Sequence, residues 1–386
     1  MAFMGYRRPD GRVGTRNYVG VLSTVVCANE VARAIAGGVK GAVAFSHQQG
    51  CCQTPPDLDR VTRSLIGLGG NPNLAAVLLV SLGCEGTDVA RVAESIAAGG
   101  KPVQVVTIQE EGGAAKTTAK GVLAAQHMAV AASQIRREPC SSRELVLGLK
   151  CGSSDTTSGL ASNPALGVAV ERLVAEGGTA ILGEVTEVIG AEHLLAKQCK
   201  DQDVARDLLN LVDRMEQRVK AVGVDMRGGQ PTPGNIKGGL TTIEEKSLGA
   251  IAKIGGAVLQ AVYEYGHRPE TNGLVFMDSP GREPELLTGL AAAGANLIVF
   301  TTGRGAPQGF PFVPVIKLTG NQATWEKLQD HIDLSVHEVM EGDESLKQAG
   351  SRVYEKILET ASGVATKAEV SGYVQAMDIY VTGPVI

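Results

Sequence analysis

Apolar positions in this chain fall into two blocks of alternating short runs and helical stretches. In the first block, β-branched or aliphatic runs at residues 18–24, 42–46, 76–82 and 103–108 enclose helix-like segments at 29–36, 58–66 and 89–97. Short apolar runs bounded by turn residues read as buried strands, and their alternation with helices predicts right-handed βαβ crossovers over a parallel sheet. An Ala-rich helix over 114–134 closes the unit, and the charged, proline-bearing segment 136–143 (RREPCSSR) is expected to be a linker. The second block restarts with a strand over 144–150, followed by strands at 179–182, 273–277, 297–301 and 315–318. Its helices are expected at 164–175, 191–196, 203–222, 242–254, 283–293, 323–340 and 346–360. The prediction is an α/β chain of two Rossmann-like units with mostly parallel sheets flanked by helices, a smaller one over 1–138 and a larger one over 139–386.

Composition sharpens this picture at one point. Glycine supplies 49 of 386 residues, nearly twice the usual share of roughly 7%, while Trp, Tyr and Phe number only 1, 7 and 6. The core is therefore aliphatic, and backbone is brought close to ligands at glycine turns. With 36 basic and 41 acidic side chains, the chain has no global electrostatic reason to hold nucleic acid or an anionic membrane. No stretch matches a membrane span and the N-terminus has no apolar signal core, so a cytoplasmic protein is expected. Seven cysteines, an odd and sparse set, argue against a disulfide framework and leave each one as a small buried hydrophobe or a working thiolate.

Ligands of open parallel sheets bind outside the carboxyl ends of the strands. Three predicted strands end in a cysteine flanked by glycine: Cys51 in HQQGCCQT, Cys84 in GCEG and Cys151 in CGSSDTTSG. Thiolates favour iron, so these three are expected to converge on a mononuclear centre or an Fe–S cluster, with one coordination site left for a substrate hydroxyl. Spacing leaves Cys52 as an alternative to Cys51, and three buried structural cysteines as the plainer account. His47 follows a strand and suits a general base, a ligand or a core role. Residues 183–193 gather Glu184, Glu187, Glu192 and His193, a set suited to proton transfer or a hard cation, or to a capped helix start. Residues 234–246 (GNIKGGLTTIEEK) read as a glycine loop entering a helix capped by Thr241 or Thr242 with Glu244 or Glu245. Its backbone N–H groups are placed to receive a carboxylate. Arg304, between two glycines, is an accessible carboxylate fork, and Arg7, Arg8, Arg12 and Arg16 form a basic stretch suited to anion capture or to a solvated arm. The chain lacks GxGxxG after its first strand, and GxxxxGK[ST], HExxH and GxSxG anywhere, so dinucleotide binding, nucleotide hydrolysis, zinc proteolysis and serine-esterase chemistry lose ground.

Five stretches together carry a resemblance: GYRRPDGRVGTRN at 5–17, HQQGC at 47–51, LGCE at 82–85, CGSSDTTSGLASNPALG at 151–167 and GNIKGGLTTIEEKSLG at 234–249. On these motifs the chain resembles the altronate/galactarate dehydratase family. The resemblance implies an iron-dependent hydro-lyase (Fe2+ or an Fe–S cluster) that removes water from altronate, galactarate or a related sugar acid to give a 2-keto-3-deoxy acid. It implies Cys51, Cys84 and Cys151 as iron ligands, and His47 as acid/base with His193 and Lys246 as rivals. Arg16, Asn235, Arg304 and Asp155 are then the substrate-binding set. Family members commonly carry an N-terminal SAF domain; only four residues precede Gly5 here, so a separate SAF-domain small subunit is expected, with a homodimer as the expected assembly. The alternatives are the large subunit of (R)-sulfolactate sulfo-lyase, a branch understood to lack the HxxGC and LGCE cysteines, and a non-catalytic scaffold subunit.

Overall fold

A computed structural model describes residues 2–375, 377–384 and 386. In the first unit, four parallel strands lie in the order Ala42–Phe45, Tyr18–Ser23, Leu74–Ser81, Val103–Thr107. Side chains alternate across each strand, so Leu78 and Val80 pack with helices Asn29–Gly37 and Ala114–Ser133, whereas Val77 and Leu79 pack with Pro55–Gly70 and Val89–Ala97. The second unit is a seven-stranded parallel sheet ordered Leu259–Tyr263, Gly273–Met277, Thr179–Leu182, Val146–Gly152, Leu297–Thr302, Val315–Thr319, Leu334–Ser335. Chain order reverses direction between Val146–Gly152 and Leu297–Thr302. That is the topological switch point, where crossovers leave for opposite faces and a crevice opens at the carboxyl ends.

The two units share one core. Leu22, Val77 and Leu79 of the smaller sheet belong to the same buried cluster as Ile181, Val275 and Ile298 of the larger one. Helices Pro55–Gly70 and Glu283–Ala292 meet between them, and the approach is close enough that a Cβ on Gly67 would sit 2.2 Å from the Ala292 carbonyl oxygen. Buried asparagines finish the seam. Asn71 donates to the carbonyls of Ala291 and Ala295 (2.8 and 2.9 Å), and Asn73 to those of Asn296 and Phe312 (3.0 and 2.8 Å). At the other end of the molecule, Asp378 pairs with Arg282 while the backbone N–H of Ile379 donates to Gln48 at 3.1 Å, so the C-terminal segment straps together the strand-end loops of both sheets. Among the described residues no helix is long and apolar enough to cross a membrane.

Arg16 is a structural clamp, which corrects its expected role in substrate binding. All five of its guanidinium N–H groups are engaged: by both carboxylate oxygens of Glu369 (2.7 and 2.8 Å) and by the carbonyls of Thr15, Thr360 and Val364 (2.8, 2.9 and 2.9 Å). Nothing is left for a ligand.

Two local expectations also change. Residues 136–143 are no loose linker: Glu138–Ser141 pairs antiparallel with Ala2–Arg7, which pairs in turn with Val13–Gly14. Phe3 and Cys140, both buried, anchor that small sheet. The helix expected over 323–340 stops at Lys327, because the Asp333 carboxylate accepts backbone N–H groups from Lys317 (2.7 Å) and Lys367 (2.9 Å), fixing an extended segment that adds Leu334–Ser335 to the sheet.

Breaking a buried, hydrogen-bonded ion pair from one side costs about 3–5 kcal/mol. Arg16→Ala is therefore expected to lower the unfolding free energy by that order, measured by urea denaturation. Arg16→Lys should recover only a fraction, since one ammonium cannot serve the five acceptors.

Candidate active site

Val146–Gly152 flanks the switch point, and the loop that follows it defines a cavity of about 310 Å³ lined by Cys151, Ser154, Asp155, Asn163 and Lys246 among others. Ser153 takes a left-handed conformation (φ 49°), which swings the chain out of the strand. A single π-helical turn, Ser158–Ser162, then feeds helix Asn163–Ala175. Such turns displace side chains from regular spacing and recur at functional sites. The Cys151 thiol is buried 2.8 Å from Ser154 Oγ and 3.8 Å from Asn163 Nδ2, and Asn163 Oδ1 accepts a hydrogen bond from Thr301 on the neighbouring strand at 2.6 Å. Residues from both sides of the crevice thus hold one wall.

Beneath that wall lies a buried charge cluster. Glu184, just past strand Thr179–Leu182, sits at φ 68° and ψ 64° with its carboxylate turned inward. It accepts from Lys150 Nζ, from Lys253 Nζ at 2.9 Å and from the backbone N–H of Cys151 at 3.0 Å. Glu187 pairs with Lys246 at 3.2 Å and Lys253 at 3.6 Å, and Lys246 also donates to Gln230 Oε1 at 2.7 Å. Burial pushes the Glu187 carboxyl up, but the ammoniums of Lys246, Lys253 and Lys150 outweigh it and hold the group at about 2. For Lys253 the order is the same: burial lowers it, and Glu184 and Glu187 more than restore its proton. Burial also raises the Cys151 thiol, with Glu187 adding to the effect and Lys253 opposing it, so Cys151 is a thiol at neutral pH. Three ammoniums face two carboxylates in this cluster, and of the five Lys246 lines the cavity, whose wall also carries Asp155 and Glu245.

The expected site residues divide. Lys246 lines the cavity. Asp155 lines it too, but its oxygens are taken: Oδ1 accepts from Thr157 Oγ1, Ser158 N and Ser158 Oγ (2.7, 3.0 and 3.1 Å) and Oδ2 from Asn321 at 2.8 Å. Asp155 builds the loop. Asn235 does likewise, capping the short helix Pro233–Lys237 through Oδ1 and donating to the Ser154 carbonyl at 2.9 Å. Arg304 is exposed beside these loops, its backbone N–H on Ser153 O at 3.1 Å and its guanidinium on Gly234 O at 3.2 Å. His193 is exposed on helix Glu192–Ala196 and is not part of the cavity lining. His47 is buried in the smaller unit, where Nε2 donates to Ser23 O at 2.8 Å and Nδ1 accepts from Gln49 N at 3.1 Å. Both ring nitrogens hold a turn, so the ring has no free atom for acid/base work. The residues that sequence reasoning missed are Lys150, Lys253, Ser154 and Asn163. The two lysines stood inside apolar runs (LVLGLK and IAKI), and a charge in such a run demands a buried partner.

A family model for the C-terminal region of D-galactarate/altronate dehydratase matches residues 142–383, and one for the second domain of D-galactarate dehydratase/altronate hydrolase matches 5–133. The chain belongs to the D-galactarate/altronate dehydratase family. Within this dehydratase family it is 42% identical to the (2R)-sulfolactate sulfo-lyase subunit beta of Chromohalobacter salexigens, over 96% of this chain and 95% of that one. It is 35% identical to the altronate dehydratase of Escherichia coli (94% and 74%) and 32% identical to the galactarate dehydratase (L-threo-forming) of the same organism (94% and 73%). All are lyases, and so is this chain. The stronger match to the sulfo-lyase subunit backs that alternative better than the sugar-acid reading.

Iron, which the resemblance to the dehydratases implies, finds no three-cysteine seat here. Cys51 and Cys84 are exposed on neighbouring loops of the smaller unit, tied by Gly86 N donating to Gly50 O at 2.9 Å. Cys151 is buried in the other unit against Ser154 and Asn163. Among the described residues no three His, Cys, Asp or Glu side chains are grouped to hold a metal ion. The expected ligand set does not fit, because its members lie at or beyond strand ends of two different sheets and Cys151 is buried against Ser154 and Asn163.

Burial pushes the His47 imidazole down to about 4, against 6.5 for a free ring. The unfolded chain therefore binds the extra proton first. His47's contribution to stability is complete above pH 6.5 and is lost as pH falls toward 4, an effect of about 3 kcal/mol. Urea denaturation across that window should show the loss in the wild type, and a flatter profile in His47→Gln.

Proposed function

We propose that this chain is the large subunit of a lyase that performs a β-elimination on a small, anionic 2-hydroxy acid, with (2R)-sulfolactate as substrate. The observation that carries the reaction class is Lys246 on the cavity wall at the switch point, held by Glu187 in a buried cluster with Lys150, Lys253 and Glu184. Removing the C2 proton, next to the carboxylate, places a second negative charge on the carboxylate oxygens. A fixed cation aimed at that charge lowers the barrier more than it tightens ground-state binding. Lys246 is suited to this role, because Glu187 and Gln230 engage two of its three donors and leave the third for the substrate carboxylate. Arg304, exposed beside the Ser153 loop, is suited to a second anionic group.

The electrons of the broken C2–H bond form the C2=C3 double bond, and the C3 substituent departs with its own bonding pair. The resulting enol takes up a proton at C3 to become a 2-keto acid, with no external oxidant or reductant. Sulfite leaving from sulfolactate yields pyruvate. Water leaving from a sugar acid yields a 2-keto-3-deoxy acid. One site chemistry serves both, and the leaving group decides the name of the enzyme. The sulfonate is favoured by the 42% identity across nearly the full length of both chains; the dehydratases share 32–35%. Dehydration of altronate or galactarate is the second reading, supported by the two family models that together span the chain. The relative's designation as a subunit supports a two-subunit enzyme, with a smaller SAF-domain partner completing it.

The test is to combine the purified chain with its small subunit and supply (2R)-sulfolactate, altronate and galactarate in parallel. Stoichiometric sulfite and pyruvate from sulfolactate is the expected result. A 2-keto-3-deoxy acid from altronate or galactarate, without sulfite release from sulfolactate, would move the assignment to the second reading. Lys246→Ala is expected to reduce kcat/KM by roughly 10²–10³-fold with an unchanged circular dichroism spectrum, and Lys246→Arg by less.

A further inference from the structure

A second cavity, of about 210 Å³, opens at the opposite end of the larger sheet. Val146 and Thr179 open their strands on its wall and Asn296 immediately precedes the strand Leu297–Thr302, so it faces the amino ends, away from Cys151. Both units build it: Arg12 and Pro72 come from the smaller one, Arg143, Arg268 and Asn272 from the larger. Three arginines therefore border one small space.

Their neutralisation is incomplete. Arg12 is paired with Asp10 and donates to Gly70 O at 2.7 Å. The Glu144 carboxylate, also on the wall, is already taken by Arg7 at 2.8 Å and by Ser141 N at 3.0 Å. The side chains of Arg143 and Arg268 have no hydrogen bond or ion pair among the described residues. Burial lowers Arg268, and the like charge of Arg12 lowers it further, which shows the two cations to be within electrostatic reach across the seam between the units. The Asn272 amide adds a neutral hydrogen-bonding group on the same wall.

We propose that this inter-unit cavity is a binding site for a compact dianion, a phosphate or a small dicarboxylate, held between Arg12 of one unit and Arg143 and Arg268 of the other. Guanidinium forks match the paired oxygens of both ligand types. An anion seated there would cancel repulsion between the units and tie them together from the side remote from catalysis. The inference is independent of the substrate assigned above.

Titration calorimetry of the full chain with inorganic phosphate, and separately with malonate, at constant ionic strength tests it. Saturable binding at millimolar concentration or below, with a raised thermal midpoint, is expected for at least one of the two, and which one binds identifies the ligand type. Arg268→Gln and Arg143→Gln, both exposed positions that should fold normally, are each expected to weaken that binding by roughly tenfold. Lys246→Met should leave it unchanged. The proposal is overturned if neither probe binds, or if binding survives both arginine variants. Binding that disappears in Lys246→Met alone belongs to the catalytic cavity and overturns it equally.

Discussion

A lysine buried at the end of a parallel sheet stays charged only if a carboxylate reaches it, and this requirement organises the larger unit around its switch point. Lys150 and Lys253 are both 1% exposed in their side chains, and the inward carboxylate of Glu184, itself 0% exposed, meets them both. To do so, Glu184 adopts a left-handed backbone conformation that non-glycine residues occupy at a cost of about 1–3 kcal/mol, offset by three hydrogen bonds to that one carboxylate. One of the three comes from the Cys151 backbone, so the same carboxylate fixes the position of the strand end that forms the cavity wall. Glu187 repeats the logic one turn later and reaches Lys246. Removing Glu184 would strip Lys150 of its paired carboxylate, leave Lys253 with Glu187 at 3.6 Å, and release the strand end as well.

The charge count gives the cluster its chemical character. Fully balanced buried ions would be inert towards a ligand, however well they held the fold. Here the third ammonium, on Lys246, is the one at the cavity surface. The deep pairs supply rigidity and hold Lys246 at the wall it shares with Asp155 and Glu245. A cation fixed in this way before a ligand arrives meets the condition for the electrostatic role proposed for Lys246.

Much of this was legible in the chain, and the failures have physical causes. The aliphatic runs at 76–82 and 297–301 became strands because nothing in them competes with burial. Residues 136–143 look like a linker because Pro139 and the flanking charges break the pattern, yet Phe3 and Cys140 suffice to pin a short antiparallel pair. The region past Lys327 keeps a helical pattern, but Asp333 trades it for backbone contacts made by residues distant in sequence. At the candidate site, the CGSSD loop and Lys246, read separately in the sequence, line one cavity. His47, Arg16 and Asn235 were chosen for their chemistry, and each is engaged by backbone or capping partners that only the folded chain reveals. Lys150 and Lys253 were visible as charges in apolar surroundings, but naming Glu184 as their partner required knowing which strands lie side by side.

The common interior joining the two sheets bears on how a substrate enters. Enzymes made of two α/β lobes often admit ligands by swinging the lobes apart on a hinge, which suits a wet, polar boundary. Here an opening of that kind would expose Leu22, Val77, Ile181 and Ile298 together and strip Asn71 and Asn73 of their acceptors. Lobe separation is closed off as a route. Traffic to the crevice must instead run through local displacement of the loops at the strand ends, leaving the scaffold behind them still.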